Sequence, residues 1–181
     1  VDVLGVVERG LVVEEWNATG VGVVDGSLPG LFGRWVVGSP GAVAVVGDGV
    51  CLSYGELGAR ADCLAGYLVS LGVGRGDVVG VLLERGVDFA VALVAVVKVG
   101  AAYSVLDPEF PDERLGWVVG QTGASVVVSR VGLESRLSGL GCRVVRVDGD
   151  AGVIAGCGGV DVVVDAGDVA CVMFTSGSTG V

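Results

Sequence analysis

The chain contains no histidine. Its five cysteines, at 51, 63, 142, 157 and 171, include no C-x-x-C pair, which leaves a zinc site few ligands. With no histidine to act as a basic partner for a thiolate, none is expected to be a nucleophile. An odd cysteine count without a secretion signal predicts buried, unpaired thiols in a reducing, cytoplasmic setting. There is also no long apolar run, although apolar residues make up 52% of the chain and mean hydropathy is +0.78. The longest stretch, Phe89 to Val97, is closed by Lys98, far short of the roughly 20 residues that cross a bilayer. No basic segment leads into an apolar one at the N-terminus, which argues against a signal peptide. Positive charge is scarce as well. Eleven Lys and Arg face 21 Asp and Glu, for a net charge of −10, and no basic cluster is present to bind nucleic acid. An anionic nucleotide stays admissible, because backbone N–H groups can bind it without side-chain charge.

Glycine is abundant, at 34 residues. Several, such as Gly58 and Gly66, fall inside helical patterns, where each costs roughly 1 kcal/mol relative to alanine. The composition therefore predicts a fold of low stability. A chain of 181 residues is long enough for one sizeable core. It begins at Val1 rather than methionine and stops inside a loop, so it reads as a segment of a longer protein.

Residues 1–27 carry turn signals around Leu11-Val12-Val13 and read as a linker; 28–38 can form a short helix. Val43–Val46 and Val50–Ser53 flank a Gly-Asp-Gly turn and predict a hairpin. Ser53-Tyr54-Gly55-Glu56 has capping-box spacing, and Leu57, Ala61, Leu64, Leu68 and Leu71 recur on one helical face up to Gly72. Further on, strands are expected at Val78–Leu83, Ala102–Leu106, Ser125–Ser129, Val144–Val147 and Val169–Phe174. Helices are expected at about Val87–Val99, from Pro111 onward, and at Leu133–Leu140. Alternation of this kind predicts an α/β fold with a mostly parallel sheet and flanking helices. Asp77, Asp107 and Asp112 fit turns and a helix start better than a metal site, and Lys98 suits a helix C-terminus. Glu56 reads as a cap, and Trp16, Trp35 and Trp117 as packing.

The last strand runs into Thr175-Ser176-Gly177-Ser178-Thr179-Gly180. Four hydroxyls with two permissive glycines can turn successive N–H groups toward one point, a concave donor surface for phosphate oxygens. The run lacks the G-x-x-x-x-G-K-[ST] pattern and any G-x-G-x-x-G. Taken alone, it fits a phosphate loop and an ordinary Ser/Gly linker about equally.

Four stretches in order resemble the amino-acid-activating adenylation domains of nonribosomal peptide synthetases, members of the adenylate-forming ligase superfamily. Leu11–Thr19 is similar to the linker after an upstream condensation domain, and Leu52-Ser-Tyr-Gly-Glu-Leu57 to the first core motif. Val96–Pro108, with Phe110-Pro111 and Glu113-Arg114-Leu115, resembles the second, and Thr175–Gly180 the phosphate-binding loop. Val105 stands where the family usually has proline, and Cys171 where an aromatic is frequent. The resemblance implies residues 1–27 as the linker and 28–181 as the N-terminal, incomplete part of an adenylation domain. It implies ATP with Mg2+, an amino-acid substrate, and transfer to phosphopantetheine on a carrier domain, with Thr175, Ser176, Gly177, Ser178, Thr179 and Gly180 holding phosphates. The catalytic lysine and the substrate pocket are implied downstream, so no catalytic or metal-ligating residue is expected within the chain, and the piece alone is expected to be inactive. An acyl-CoA synthetase or aryl-acid-activating ligase shares the loop. A flavodoxin-like module, with its loop after the first strand, and a non-catalytic remnant are readings from other classes.

Overall fold

A computed structural model describes residues 3–22, 25–47 and 49–174. Near the N-terminus Val6–Gly10 forms one helical turn and a bit (α1), continued by a wider π-type turn over Leu11–Glu15. Asn17 fastens that turn, its Nδ2 donating to the carbonyls of Val12 and Val13 at 2.7 and 3.2 Å. A linker without helix was expected here. The turns arise from local backbone and Asn17 bonds and bury no residue, so no hydrophobic periodicity announces them. Helix α2, Leu28–Gly38, is capped by Ser27, whose side chain accepts from the Gly30 N–H, with Pro29 in its first turn.

Strands β1 (Val43–Gly47) and β2 (Val50–Ser53) pair antiparallel as the expected hairpin. Helix α3, Tyr54–Ser70, starts at the capping box: Ser53 Oγ accepts from the Glu56 N–H at 3.3 Å, and Glu56 Oε2 accepts from the Ser53 N–H at 2.8 Å. These bonds, the backbone one foremost, hold the Glu56 carboxyl below its ordinary value. Its buried face is Leu57, Gly58, Ala61, Leu64, Ala65 and Leu68, the 3.6-residue spacing seen in the sequence. Gly72 follows at φ 90°, a left-handed conformation that lets the chain turn away.

The main sheet holds β3 (Val78–Leu82), β4 (Ala102–Leu106), β5 (Val126–Ser129) and β6 (Arg143–Arg146), all parallel, in the order β4-β3-β5-β6. Between β3 and β4 runs α4, Val87–Lys98, buried on most of its surface and ended by Gly100 at φ 75°. Between β4 and β5 runs α5, Asp112–Thr122. A 3-10 helix at Val131–Leu137 links β5 to β6, where an α-helix to Leu140 was expected. The chain turns extended at Ser138 (ψ 131°), and i→i+3 bonds such as Ser138 N–H to Ser135 O close this short connection. Helix α6, Ala151–Ala155, lies in a stretch whose Gly and Asp content had carried little signal.

Both faces of the sheet are covered. Val79, Val81, Val126, Val128 and Val145 pack under α3 and α4, whereas Leu82, Leu106 and Val127 pack with Leu115, Val118 and Val119 of α5 on the other face. Successive strand residues point to opposite sides, so strands sandwiched between helices read as unbroken apolar runs. That accounts for the high apolar content without a membrane; no described helix is long and apolar enough to cross one. Buried Ser129 donates from Oγ to the Leu82 carbonyl at 3.0 Å, tying β5 to the end of β3.

Two expectations need correction. The stretch 169–174 is not a full strand among the described residues. It meets the free edge of β4 through one parallel bridge, Tyr103 to Cys171, with Tyr103 N–H to Ala170 O at 3.0 Å and Val172 N–H to Tyr103 O at 2.9 Å. An outermost segment has a ladder partner on one side only, and here the pairing extends over one residue. The cysteines, secondly, are unpaired but not buried: Cys51 is exposed and the other four are partly exposed. Cys51 lies in β2 and Cys171 at the edge bridge to Tyr103, and Cys63 is on α3, so none of these falls on the fully covered core faces that valine and leucine occupy.

Candidate functional site

The strand order places the candidate site. From β3 the chain passes through α4 to β4 on one face. From β4 it passes through α5 on the opposite face and skips across β3 to reach β5. Adjacent strands β3 and β4 therefore send their following loops to opposite sides, which opens a crevice at their carboxyl ends. Ligands of open α/β sheets gather at such switch points. A cleft of about 1090 Å³ lies there. Its walls are Leu83, Glu84 and Arg85 after β3, Ser104 to Phe110 along and after β4, Arg114 and Val118 of α5, and Val172 to Phe174.

Each wall is held by local chemistry. In the turn after β4, Asp107 Oδ1 accepts from the Glu109 N–H at 2.9 Å. Arg136, on the 3-10 helix, latches the same turn from below by donating to the carbonyls of Pro108 and Phe110. It also pairs with Asp112 Oδ1 at 2.6 Å. Next to Phe89, the α4 residue that lines the cleft, Asp88 accepts from Arg130 at 2.6 Å; beside that carboxylate the Arg130 guanidinium holds its proton more tightly than usual. The wall from 172 to 174 is carried by the bridge to Tyr103, whose hydroxyl is pushed up in pKa by burial and then by the neighbouring Cys171. Phe174 packs edge-on against Trp117 of α5, with ring centroids 4.8 Å apart, and the Arg114 guanidinium lies 4.3 Å from the Trp117 ring.

Thr175, Ser176, Gly177, Ser178, Thr179 and Gly180, the expected phosphate loop, lie outside the described residues. What the structure describes is their root: Phe174 at the cleft wall, next to them in the chain. The three aspartates set aside as a metal site all have structural duties. Asp77 accepts from the Gly74 N–H at 2.8 Å, Asp107 closes its turn, and Asp112 pairs with Arg136. Lys98 pairs with Asp62 and lies 6.0 Å from the Phe32 ring centroid. Among the tryptophans, Trp35 stacks on Tyr54 at 5.6 Å, Trp117 packs as described, and Trp16 is 66% exposed. Sequence reasoning missed Glu84, Arg85 and Arg136. The first two follow β3 directly, and their place at a cleft emerges only once β3 is known to lie beside β4 and β5.

A family model described as AMP-binding enzyme matches residues 32–181. The chain belongs to the AMP-binding enzyme family. Tyrocidine synthase 3 of Brevibacillus parabrevis is 36% identical over 174 residues, covering 96% of this chain and 3% of that protein. Malpibaldin synthetase of Mortierella alpina is 35% identical over 188 residues, covering 99% and 3%. Among solved structures, the alpha-methyl-L-serine-AMP bound form of the nonribosomal peptide synthetase FmoA3 matches with TM-score 0.80 and 30% identity, over 89% of this chain and 18% of that one. The N-terminal subdomain of Klebsiella oxytoca NpsA, in complex with 3-hydroxybenzoyl-AMSN, matches with TM-score 0.75 and 26% identity, over 86% and 40%. The chain spans a few per cent of the length of these curated relatives. Its α/β sheet with helices on both faces is the fold of those structures.

Proposed function

We propose that the chain is the N-terminal part of an adenylation domain in a nonribosomal peptide synthetase and works in amino-acid activation. In the reaction, an amino-acid carboxylate oxygen attacks the α-phosphorus of ATP. A mixed acyl-phosphate anhydride forms, the bond to the bridging oxygen breaks, and pyrophosphate leaves with the electron pair. The acyl group then passes as a thioester to phosphopantetheine on a carrier domain, with a condensation domain upstream of residues 1–27. Thr175, Ser176, Gly177, Ser178, Thr179 and Gly180 hold the β- and γ-phosphates, their donors meeting charge that grows as pyrophosphate departs.

The observation that carries this reading is similarity across nearly the whole chain to peptide synthetases, joined to a switch-point cleft with the root of the Ser/Thr/Gly run on its wall. The cleft's volume of about 1090 Å³ suits a nucleotide. No cluster of three metal-binding side chains occurs among the described residues, which is compatible with Mg2+ arriving on ATP, since that ion commonly keeps its waters and binds through phosphates. The cytoplasm, with its ATP pool, is the setting we assign.

The test is ATP–pyrophosphate exchange by the synthetase that carries this stretch, with each amino acid in turn. We expect exchange dependent on one or a few amino acids, and a loss of roughly 10²-fold in Thr179→Ala. The 181-residue chain alone should give none. Absence of exchange with every amino acid would overturn the reading, and exchange driven by an aryl acid would move it to an aryl-acid-activating ligase.

A further inference from the structure

Two polar side chains in the cleft have no use in the fold. The described residues include two buried polar ones, Ser104 and Ser129. Ser129 donates to the Leu82 carbonyl. Ser104, on β4 and 1% exposed, has a hydroxyl that meets no partner among the described residues. No side-chain polar atom wholly closed off from solvent lacks a partner there, so the Ser104 Oγ opens onto the cleft that Ser104 lines. The cations divide in the same way. Among the described residues five are half-buried. Lys98, Arg130, Arg136 and Arg146 each pair with a carboxylate, and Arg114 pairs with none. Its guanidinium lies instead on the Trp117 ring, 4.3 Å from the centroid, and lines the same cleft.

The two groups share one side of the sheet. Ser104 stands two residues before Leu106 on β4, so both side chains leave the same face, where Leu106 packs with Leu115 and Val118 of α5. Arg114 is in the first turn of that helix. Stacking on an aromatic ring holds a guanidinium by its plane and leaves the N–H groups around its edge free to donate. Of the carboxylates that line the cleft, Asp107 is tied into its own turn, and Glu84 and Glu109 are exposed, where salt screens their repulsion of an anion. We propose that Ser104 and Arg114 together bind a phosphate group on the α5 side of the cleft, the guanidinium edge and the hydroxyl both donating to its oxygens. Which phosphate is bound rests on the adenylation reading, which brings two to the enzyme: the triphosphate of ATP and the phosphodiester of the phosphopantetheine arm. The two unclaimed donors stand on geometry alone.

Ser104→Ala and Arg114→Met, the second keeping an apolar stem on Trp117, test this in the synthetase that carries the stretch. Losing a hydrogen bond to a charged group corresponds to roughly a 10- to 100-fold change in binding. If the site takes the triphosphate, the Kd of inorganic pyrophosphate, read by titration calorimetry, should rise by about that factor in both variants. If it takes the arm, the pyrophosphate Kd holds, and thioester loading of the enzyme's own arm from preformed adenylate should slow by a similar factor. Because the Ser104 hydroxyl serves no protein partner, amides of β3 and β4 in Ser104→Ala should exchange hydrogen as in the parent. Pyrophosphate binding and arm loading both unchanged would overturn the inference. So would faster exchange across β3 and β4 in Ser104→Ala, or a change confined to the KM for the amino acid. Should Arg114→Met fail to fold, Arg114→Lys keeps the charge without the planar fork and should show the same weakening in smaller measure. Should the unmodified synthetase show no pyrophosphate exchange with any amino acid, the functional reading fails, and the pyrophosphate titration still decides whether Ser104 and Arg114 hold a phosphate.

Discussion

Two glycine-to-alanine changes, both inside helices, are expected to shift stability in opposite directions. Alanine gains roughly 1 kcal/mol over glycine in a helix interior, from backbone entropy alone. At Gly120 on α5, an added Cβ meets nothing within 4 Å, so Gly120→Ala should realise most of that gain. At Gly66 on α3, the added Cβ would overlap the Gly158 carbonyl oxygen and stand 3.2 Å from Cys157 Cβ. The obstacle is backbone, which no rotamer change relieves, so the segment after α6 must move off α3. Overpacking of this kind costs about 1–3 kcal/mol, and a clash with main-chain atoms belongs at the upper end. Subtracting the helix gain leaves a net destabilisation of about 1–2 kcal/mol. Urea and thermal unfolding of the two variants beside the parent chain provide the assay. With about 2–4 °C per kcal/mol for a domain of this size, Gly66→Ala should melt roughly 2–8 °C lower and Gly120→Ala about 2–4 °C higher. A Gly66→Ala protein as stable as the parent would refute the packing argument, because helix propensity would then have decided both sites.

Two further outcomes follow from charge and burial. Asp150, paired with Arg146, Asp168, paired with Arg75, and Asp148, bonded first to the Val131 N–H, all lie below their ordinary 3.8, as Glu56 lies below 4.5. Carboxyls depressed in the native state stabilise it above their unfolded values and lose that contribution as pH falls through the native ones. The urea midpoint should therefore hold between about pH 7 and 5 and drop below about pH 4; a midpoint unchanged at about pH 3 would contradict these pairings. Ser129→Ala removes the buried donor to the Leu82 carbonyl, which should cost about 1–3 kcal/mol in unfolding free energy. An unaffected midpoint would mean that this bond contributes nothing.

The sequence by itself determined what depends on neighbours along the chain. Helix α3 announces itself through Ser53, Glu56 and a leucine face, because capping and 3.6-residue periodicity are local. The β3, β4 and β5 runs are legible because strands buried on both faces must be apolar throughout. Family membership is written there too, in motifs whose order and spacing survive without coordinates. Tertiary structure decided the rest. Which strand lies beside which is set by long-range pairing, and only the order β4-β3-β5-β6 brings Arg85 and Arg114 to one cleft. Arg136 was silent because its partners, Asp112 and the carbonyls of Pro108 and Phe110, lie more than 20 residues away in the chain. Val169–Phe174 looked like any other strand, since side-chain composition records β-propensity but not the number of neighbours a strand will find. Gly66 looked like a cost to α3 until Gly158 was seen against it: propensity is a property of one residue, and close packing is a property of two.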